Sequence, residues 1–210
     1  MERIVRSKIE DIPTLSSYAQ TLIRYNEECV AGTRIWRSSG TVYDILKKEL
    51  KDLSQSHCTF CDGFPLNDTS KETIEHYHPK ADFNEKTYEW ENLFYCCDKC
   101  QSFANFHRPF QVTIKPDNVD YRFDYHFWFD AEDGLVKLND ERDENARIFL
   151  ERYGINRRPE KIIARRRRYI ELLKLLKDIP DNQIVNERVN EAQRYIFDIA
   201  LKVLALKHNF

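Results

Sequence analysis

Two cysteine pairs of identical spacing are the strongest chemical pattern in this sequence. Each pair has two residues between its cysteines, and the pairs are Cys58/Cys61 and Cys97/Cys100. Four thiolates presented from two tight turns can close a tetrahedral zinc site. Such a site leaves no coordination position for a substrate. We therefore expect a structural zinc ion that holds together the two ends of the intervening segment.

The second pair has two possible forms, because Cys96 adjoins Cys97. Cys96 is separated from Cys100 by three residues, whereas Cys97 repeats the two-residue spacing of the first pair. We prefer Cys97 for that reason. Cys29 lies in an amphipathic helical stretch, and we expect it to be a buried small hydrophobic residue.

The segment between the pairs carries a motif, EHYHPK at residues 75–80, that suits metal-assisted hydrolysis. The Glu75 carboxylate can hold a divalent cation against a phosphate, and the His76 imidazole can take a proton from the attacking water. Neighbouring residues of a regular strand point to opposite faces. Glu75 and His76 can therefore face the same active site only if the hairpin is twisted or bulged. Asn92 is expected to fix, through its amide, the loop that carries His76.

The composition is typical of a folded protein. Of its 210 residues, 41% are hydrophobic and 13% aromatic, which argues against disorder. No stretch approaches the roughly 18 apolar residues of a spanning helix, and the first residues are charged where a signal peptide is apolar. We expect a cytoplasmic protein, in whose reducing surroundings paired cysteines bind metal rather than form disulfides.

A basic block occupies residues 147–177, which hold eleven Lys or Arg against three Glu, whereas the whole chain has a net charge of -2. Its central run, Arg165 to Arg168, spans a full helical turn, so these four side chains cannot all face one ligand. Two interpretations stay open. The block binds phosphate or a partner, or it is a solvated helix whose side-chain stems cover apolar surface.

Hydrophobic periodicity predicts an α+β chain that is mostly helical. Residues 1–55 are expected to form an N-terminal helical segment. Residues 56–112 are expected to form the small metal-held module, built from turns, a hairpin and one helix. Residues 113–139 are predicted to be a β-hairpin, with a strand over 121–129 and a turn at Asp133-Gly134.

Residues 140–210 are predicted to be C-terminal helices. The first helix ends at Gly154, the second begins at Pro159 and stops before Pro180, and the last covers about 184–206. All four parts are expected to pack as one compact unit.

The motif and its cysteine bracket resemble the HNH endonucleases, a family with a ββα-metal fold that is often stapled by a four-cysteine zinc ion. The resemblance is closest to the PtuB-type HNH proteins of Septu and retron anti-phage systems. The first 40 and last 30 residues lie outside it. The segments that carry it are CTFC (58–61), EHYHPK (75–80), YEWENL (88–93), CDKC (97–100), the Asp133-Gly134 hairpin, and YGIN (153–156) with the basic helix after it.

The resemblance implies a role for each motif residue. Glu75 takes the place of the family's metal-binding acid, usually Asp, and His76 takes that of the general base. Asn92 takes the place of the loop-orienting Asn, and Gln101 that of the second metal ligand, usually Asn or His. The implied cofactors are a structural Zn²⁺ and a catalytic Mg²⁺ or Mn²⁺ held by Glu75 and Gln101.

The chain departs from the family pattern in three places. Glu75 and Gln101 are each one methylene longer than Asp and Asn, and Ala104 stands where Lys is common. Both longer residues keep an oxygen donor suited to Mg²⁺. Further contacts to nucleic acid, or helper ligands, are expected from His78, Lys80, Asn105 and His107.

The implied function is hydrolysis of nucleic-acid phosphodiester bonds by the effector nuclease of an anti-phage defence system. DNA is the family default, and a structured RNA such as tRNA is the alternative. The implied partners are nucleic acid, a PtuA-like ATPase that restrains the nuclease until infection, and a retron reverse transcriptase/ncDNA complex; no membrane is expected. The residues also admit a catalytically inactive zinc-scaffold module that binds a partner or RNA, which Gln101 and Ala104 favour.

Overall fold

Helices and two short hairpins make up the computed structural model, which describes residues 3–64, 66, 70–106, 109–130 and 132–177. This part of the chain is α+β, as predicted. The α-helices are α1 (Pro13–Ser16), α2 (Ala19–Val30), α3 (Thr41–Leu53), α4 (Asp98–Phe106), α5 (Phe123–His126), α6 (Glu144–Arg152) and α7 (Pro159–Lys177). The strands are β1 (Glu72–His76), β2 (Leu93–Cys97), β3 (Phe127–Phe129) and β4 (Val136–Leu138). The helix predicted over 184–206 lies outside the described residues.

The N-terminal helices bury the apolar positions that recur at helical spacing. α2 buries Leu22 and Cys29, and α3 buries Leu46 and Leu50. The backbone N–H of Tyr88, in the loop between β1 and β2, donates to the Asn26 side chain at 2.6 Å. α2 and α3 therefore support the central hairpin and the loop that joins its strands.

The central hairpin pairs β1 with β2 in antiparallel register, from Glu72 opposite Cys97 to His76 opposite Leu93. The pairing is unbroken over all five residues, so of the two expected forms, a twisted or a bulged hairpin, the bulge is wrong. Every side chain of β2 is buried. α4 begins at the residue after β2, so it lies against the hairpin that precedes it.

The second hairpin pairs β3 with β4, and the predicted strand over 121–129 is wrong in its first half. Residues 123–126 form the short helix α5 instead. Phe123 and Phe127 are both buried, with ring centroids 5.6 Å apart. A strand would also place these two residues on one face but about 13 Å apart, whereas one helical turn brings their rings into contact.

The end of α6 packs on the turn of the first cysteine pair through aromatic stacking. Phe60, inside the first cysteine pair, stacks on Tyr153 after α6, with ring centroids 3.8 Å apart and an interplanar angle of 9°. α6 is capped by the Asp143 side chain, which accepts from the Ala146 N–H at 2.9 Å. Gly154 has φ 56°, and a Cβ there would lie 2.6 Å from the Phe103 ring, so this close turn requires glycine.

Membrane-spanning helices are not found within the described part of the chain, where no helix combines the necessary length with sufficient apolar character.

Candidate metal centre and active site

The four predicted cysteines form one buried cluster. The sulfur atoms of Cys58, Cys61, Cys97 and Cys100 all lie within 4.8 Å of one another. The Cys61 and Cys97 sulfur atoms are 3.8 Å apart. Zinc–sulfur bonds of about 2.3 Å in a tetrahedron place sulfur atoms about 3.8 Å apart, so the spacing fits zinc.

Local backbone geometry supports this cluster as a thiolate site. The N–H of Cys97 donates to Cys58 Sγ at 3.3 Å, and the N–H of Cys100 donates to Cys97 Sγ at 3.4 Å. The first pair sits in a turn closed by the Cys58 N–H on the Gly63 carbonyl at 3.0 Å. N–H donors favour the charged form of sulfur, which is the form that binds metal. The cluster can therefore hold a zinc ion.

Cys96 does not belong to this cluster. It is fully buried in β2, next to Cys97, and successive side chains of a strand point to opposite faces. Burial, followed by the nearby Glu75 charge, raises the pKa of the Cys96 thiol well above its ordinary value. Cys96 is accordingly a buried thiol of the core, as is Cys29 in α2.

Glu75 and Gln101 meet where β1 faces α4. Glu75 is 5% exposed, and the Gln101 side chain is bonded to the two preceding residues of β1, Thr73 and Ile74. Burial raises the pKa of Glu75 to about 8, although the charges of Arg152 and Lys80 and the contact with Gln101 act to lower it. The carboxyl is thus protonated at neutral pH, and a bound cation would require it to ionise.

The Gln101 amide is also engaged by the hairpin itself. Its Nε2 donates to the Ile74 carbonyl at 2.7 Å, and its Oε1 accepts from Thr73 Oγ1 at 3.1 Å. Gln101 therefore links α4 to β1, and a ligand role would use the remaining lone pair of Oε1.

His76 is held on the other face of β1. It is 3% exposed, its ring packs edge-on against Trp36 at a centroid distance of 4.6 Å, and its Nε2 lies 3.0 Å from the Thr87 carbonyl. Since a carbonyl only accepts, Nε2 carries the hydrogen and the neutral ring keeps its lone pair on Nδ1. Burial and the Lys80 charge lower the pKa of His76 to about 3, against the hydrogen bond to Thr87.

The Asn92 side chain forms hydrogen bonds with the backbone at two places in the loop between β1 and β2. Its Oδ1 accepts from the His78 N–H at 2.7 Å, and its Nδ2 donates to the His78 and Lys86 carbonyls at 3.1 and 2.9 Å. Lys86 precedes Thr87, whose carbonyl orients His76. Through these contacts Asn92 fixes both the residues after β1 and the acceptor that sets the His76 tautomer.

The other expected contact residues are scattered. His78 is half-buried between the rings of Phe83 and Phe110, at centroid distances of 5.1 and 5.2 Å. Lys80 and Asn105 are exposed. His107 lies outside the described residues.

Arg152, at the end of α6, is a site residue that the sequence analysis missed. It is 2% exposed, and its Nη2 donates to the Tyr77 carbonyl at 2.7 Å. Its Nε and Nη1 are buried without a hydrogen-bond partner among the described residues. Its charge is the strongest one acting to ionise Glu75. The signal in the sequence is its place three residues after Phe149 on the buried face of α6.

The raised pKa of Glu75 and the lowered pKa of His76 predict that the slope of the unfolding free energy against pH changes twice, near pH 4.5 and near pH 6.5. From pH 6.5 to about 8 the folded state keeps a proton on Glu75 that the unfolded state loses, so the free energy of unfolding falls by up to about 1.4 kcal/mol per pH unit. Between pH 4.5 and 6.5 the unfolded state also binds a proton on His76 that the folded state lacks. The contributions of Glu75 and His76 to the pH dependence are then equal and opposite, so the free energy of unfolding stays constant. Below 4.5 only His76 contributes, and stability falls with falling pH.

Denaturant unfolding of zinc-loaded protein without Mg²⁺, repeated over a range of pH, checks this expectation. Glu75→Gln should abolish the loss above pH 6.5 and expose the His76 slope between 4.5 and 6.5. If the unfolding free energy of Glu75→Gln varied with pH as that of the wild type does, the raised pKa of Glu75 would be contradicted.

No family model matches the sequence, and no curated protein matches it either.

Proposed function

We propose that this protein is a metal-dependent endonuclease of the HNH type, which hydrolyses phosphodiester bonds of nucleic acid. The observation that carries the proposal is the bonding of Gln101 on α4 to the part of β1 that holds Glu75, in a hairpin and helix joined by the cysteine cluster. A strand carboxylate and a helix amide thereby offer two oxygen donors of the kind that Mg²⁺ and Mn²⁺ prefer. A cation bound there would neutralise charge on the phosphate and on the leaving oxygen.

His76 is suited to accept the proton of the attacking water at Nδ1. The Thr87 carbonyl fixes the tautomer, and the low pKa keeps the ring neutral. A pKa of about 3 is low for a general base, and the negative charge of a bound phosphodiester would raise it toward the working range. Because Glu75 and His76 leave opposite faces of β1, we infer that the substrate approaches the end of this strand, where the Lys80 charge acts on both.

Positive charge beside Glu75 favours an anionic substrate. Arg152 brings a buried guanidinium with two nitrogen atoms that lack a hydrogen-bond partner in the described structure, and Lys80 brings an exposed ammonium. A phosphate oxygen is the kind of acceptor that a guanidinium binds most strongly. Arg152 therefore supports a phosphodiester as the substrate and is our candidate for a phosphate contact.

The biological setting is proposed from the resemblance alone. An HNH protein of the PtuB type would act as the effector of an anti-phage system, restrained by a PtuA-like ATPase. DNA is the substrate that we propose first, with structured RNA as the alternative, since the chemistry at phosphorus does not require a 2′-hydroxyl.

A second candidate function, a zinc-held binding module without catalysis, is favoured by one observation. Both ends of the Gln101 amide are already bonded to β1, and the Glu75 carboxyl beside it is protonated at neutral pH. A site built only for packing would show the same contacts. Direct measurement of cation binding separates the two functions.

Glu75→Gln is expected to remove binding of Mn²⁺ by the zinc-loaded protein and to lower nucleic-acid cleavage by at least about 10²-fold, because the neutral amide cannot supply the anionic ligand. Mn²⁺ binding is read by electron paramagnetic resonance and cleavage on plasmid DNA. Glu85→Gln, an exposed acid in the loop after β1, is the matched control and should keep both. Equal Mn²⁺ binding by the two variants would exclude Glu75 as a cation ligand.

A further inference from the structure

Part of the basic block turns inward, onto the cysteine cluster. Arg158 immediately precedes α7, and Lys161 and Arg165 follow at spacings of three and four residues, which places all three on one helix face. Arg158 and Lys161 are only 5% and 7% exposed. We call these three residues the inward cationic face. Arg157 and Arg166 of the same block are exposed.

Arg158 contacts the sulfur atoms directly. Its Nη2 donates to Cys100 Sγ at 3.2 Å, and its Nη1 lies 3.7 Å from Cys97 Sγ. The two nitrogen atoms of one guanidinium thus reach both cysteines of the second pair. A planar fork of this kind is pre-organised for two acceptors and keeps its charge at every accessible pH.

The other two cations lie beside the first pair. Lys161 Nζ donates to Ser70 Oγ at 3.1 Å and lies 3.1 Å from the position of a Cβ at Gly63, in the turn that follows Cys61. Arg165 donates to the Ile155 carbonyl at 2.9 Å, and its charge interacts with the Cys61 and Cys100 sulfur atoms. The inward cationic face therefore covers both halves of the cluster.

The positive charges near the cysteine cluster can balance the negative charge of a zinc-thiolate centre. A zinc ion held by four thiolates carries a net charge of about -2, and an unbalanced charge in a buried place costs several kcal/mol. The cluster is buried, Arg158 contacts two of its sulfur atoms, and Lys161 and Arg165 place their charges near the first pair. Each guanidinium or ammonium that is placed here lowers the cost of keeping four thiolates together.

We propose that the inward cationic face of α7 is the counter-charge of the zinc-thiolate centre, so that metal loading and docking of α7 stabilise each other. The basic block then has two separate parts. The inward cationic face serves the metal, and exposed residues such as Arg157 and Arg166 remain accessible to a partner or a nucleic acid. This inference depends on zinc binding by the cysteines and is independent of nuclease activity.

Zinc affinity of the purified chain, measured by competition with a chromophoric chelator, tests the proposal. Arg158→Gln is expected to weaken zinc binding by about 10–100-fold, the range found when outer-shell partners of a metal site are lost. Arg157→Gln, its exposed neighbour, is the matched control and should bind zinc like the wild type. In zinc-saturated Arg158→Gln, amide hydrogen exchange within 159–177 should also be faster than in the control.

Equal zinc affinities of Arg158→Gln and Arg157→Gln would overturn the proposal. If Arg158→Gln does not fold in excess zinc, Arg165→Gln decides, because Arg165 acts on the sulfur atoms by charge without bonding to them. Zinc binding about 10-fold weaker than in Arg157→Gln would support the counter-charge. Unchanged binding in Arg165→Gln would overturn it.

Discussion

Removal of zinc by a strong chelator is expected to unfold the centre of this protein. The four cysteines join the turn at 58–61 to the junction of β2 with α4, and Phe60 within that turn stacks on Tyr153. Structural zinc sites contribute roughly 10–16 kcal/mol of apparent binding free energy, which exceeds the whole stability of most domains. Far-ultraviolet circular dichroism and the bound zinc should therefore be lost together, and zinc should restore both.

Two adjacent cysteines provide the control for this prediction. Cys97→Ala removes a ligand and is expected to abolish stoichiometric zinc binding. Cys96→Ala removes a sulfur atom that is equally buried but lies outside the cluster, so it should keep the zinc and lose only about 1 kcal/mol of stability from packing. Tight binding of one zinc ion per chain by Cys97→Ala would contradict the assigned ligand set.

Replacement of His76 by alanine is expected to lower cleavage by about 10²–10⁴-fold, the usual contribution of a general base. The imidazole is the group whose Nε2 is bound to the Thr87 carbonyl and whose Nδ1 is left to accept a proton. Zinc content and Mn²⁺ binding should stay unchanged, because neither uses this side chain. Added imidazole should restore part of the activity, since it supplies the missing base without the missing packing.

His78→Ala is the comparison for this variant, because His78 lies two residues away in the same motif and is only half-buried. It is expected to lower cleavage less than His76→Ala does. Full cleavage by a folded, zinc-loaded His76→Ala protein would contradict the role of His76, and loss of activity without imidazole rescue would point to a packing role beside Trp36.

The cysteine cluster and the order of elements around it were predictable from sequence because they depend on local spacing. Two residues between cysteines set a turn, and alternating or helical periodicity sets β1, β2 and the helices. The choice of Cys97 over Cys96 also followed from spacing, and the structure brings Cys97 into the cluster.

Long-range contacts were not predictable from sequence. Regular pairing of β1 places Glu75 and His76 on opposite faces, whereas a twisted or bulged hairpin was expected to bring both into one site. Arg152 reaches Tyr77 from 75 residues away, and Arg158 reaches Cys100 from 58 residues away. Single-sequence patterns give the face of a helix but not the element that it packs on. Neither interpretation of the basic block, a phosphate- or partner-binding segment or a solvated helix, therefore predicted that Arg158 and Lys161 are buried.

Cleavage of nucleic acid by the zinc-loaded chain tests the central claim most directly. Plasmid DNA and total cellular RNA are incubated with the protein in Mg²⁺ or Mn²⁺, alone and with a PtuA-like ATPase partner, beside His76→Ala. Cation-dependent cleavage of one of these polymers is expected, and it should be abolished in the variant. Intact DNA and RNA under every condition, with zinc bound and the protein folded, would contradict the nuclease and leave the zinc-held binding module.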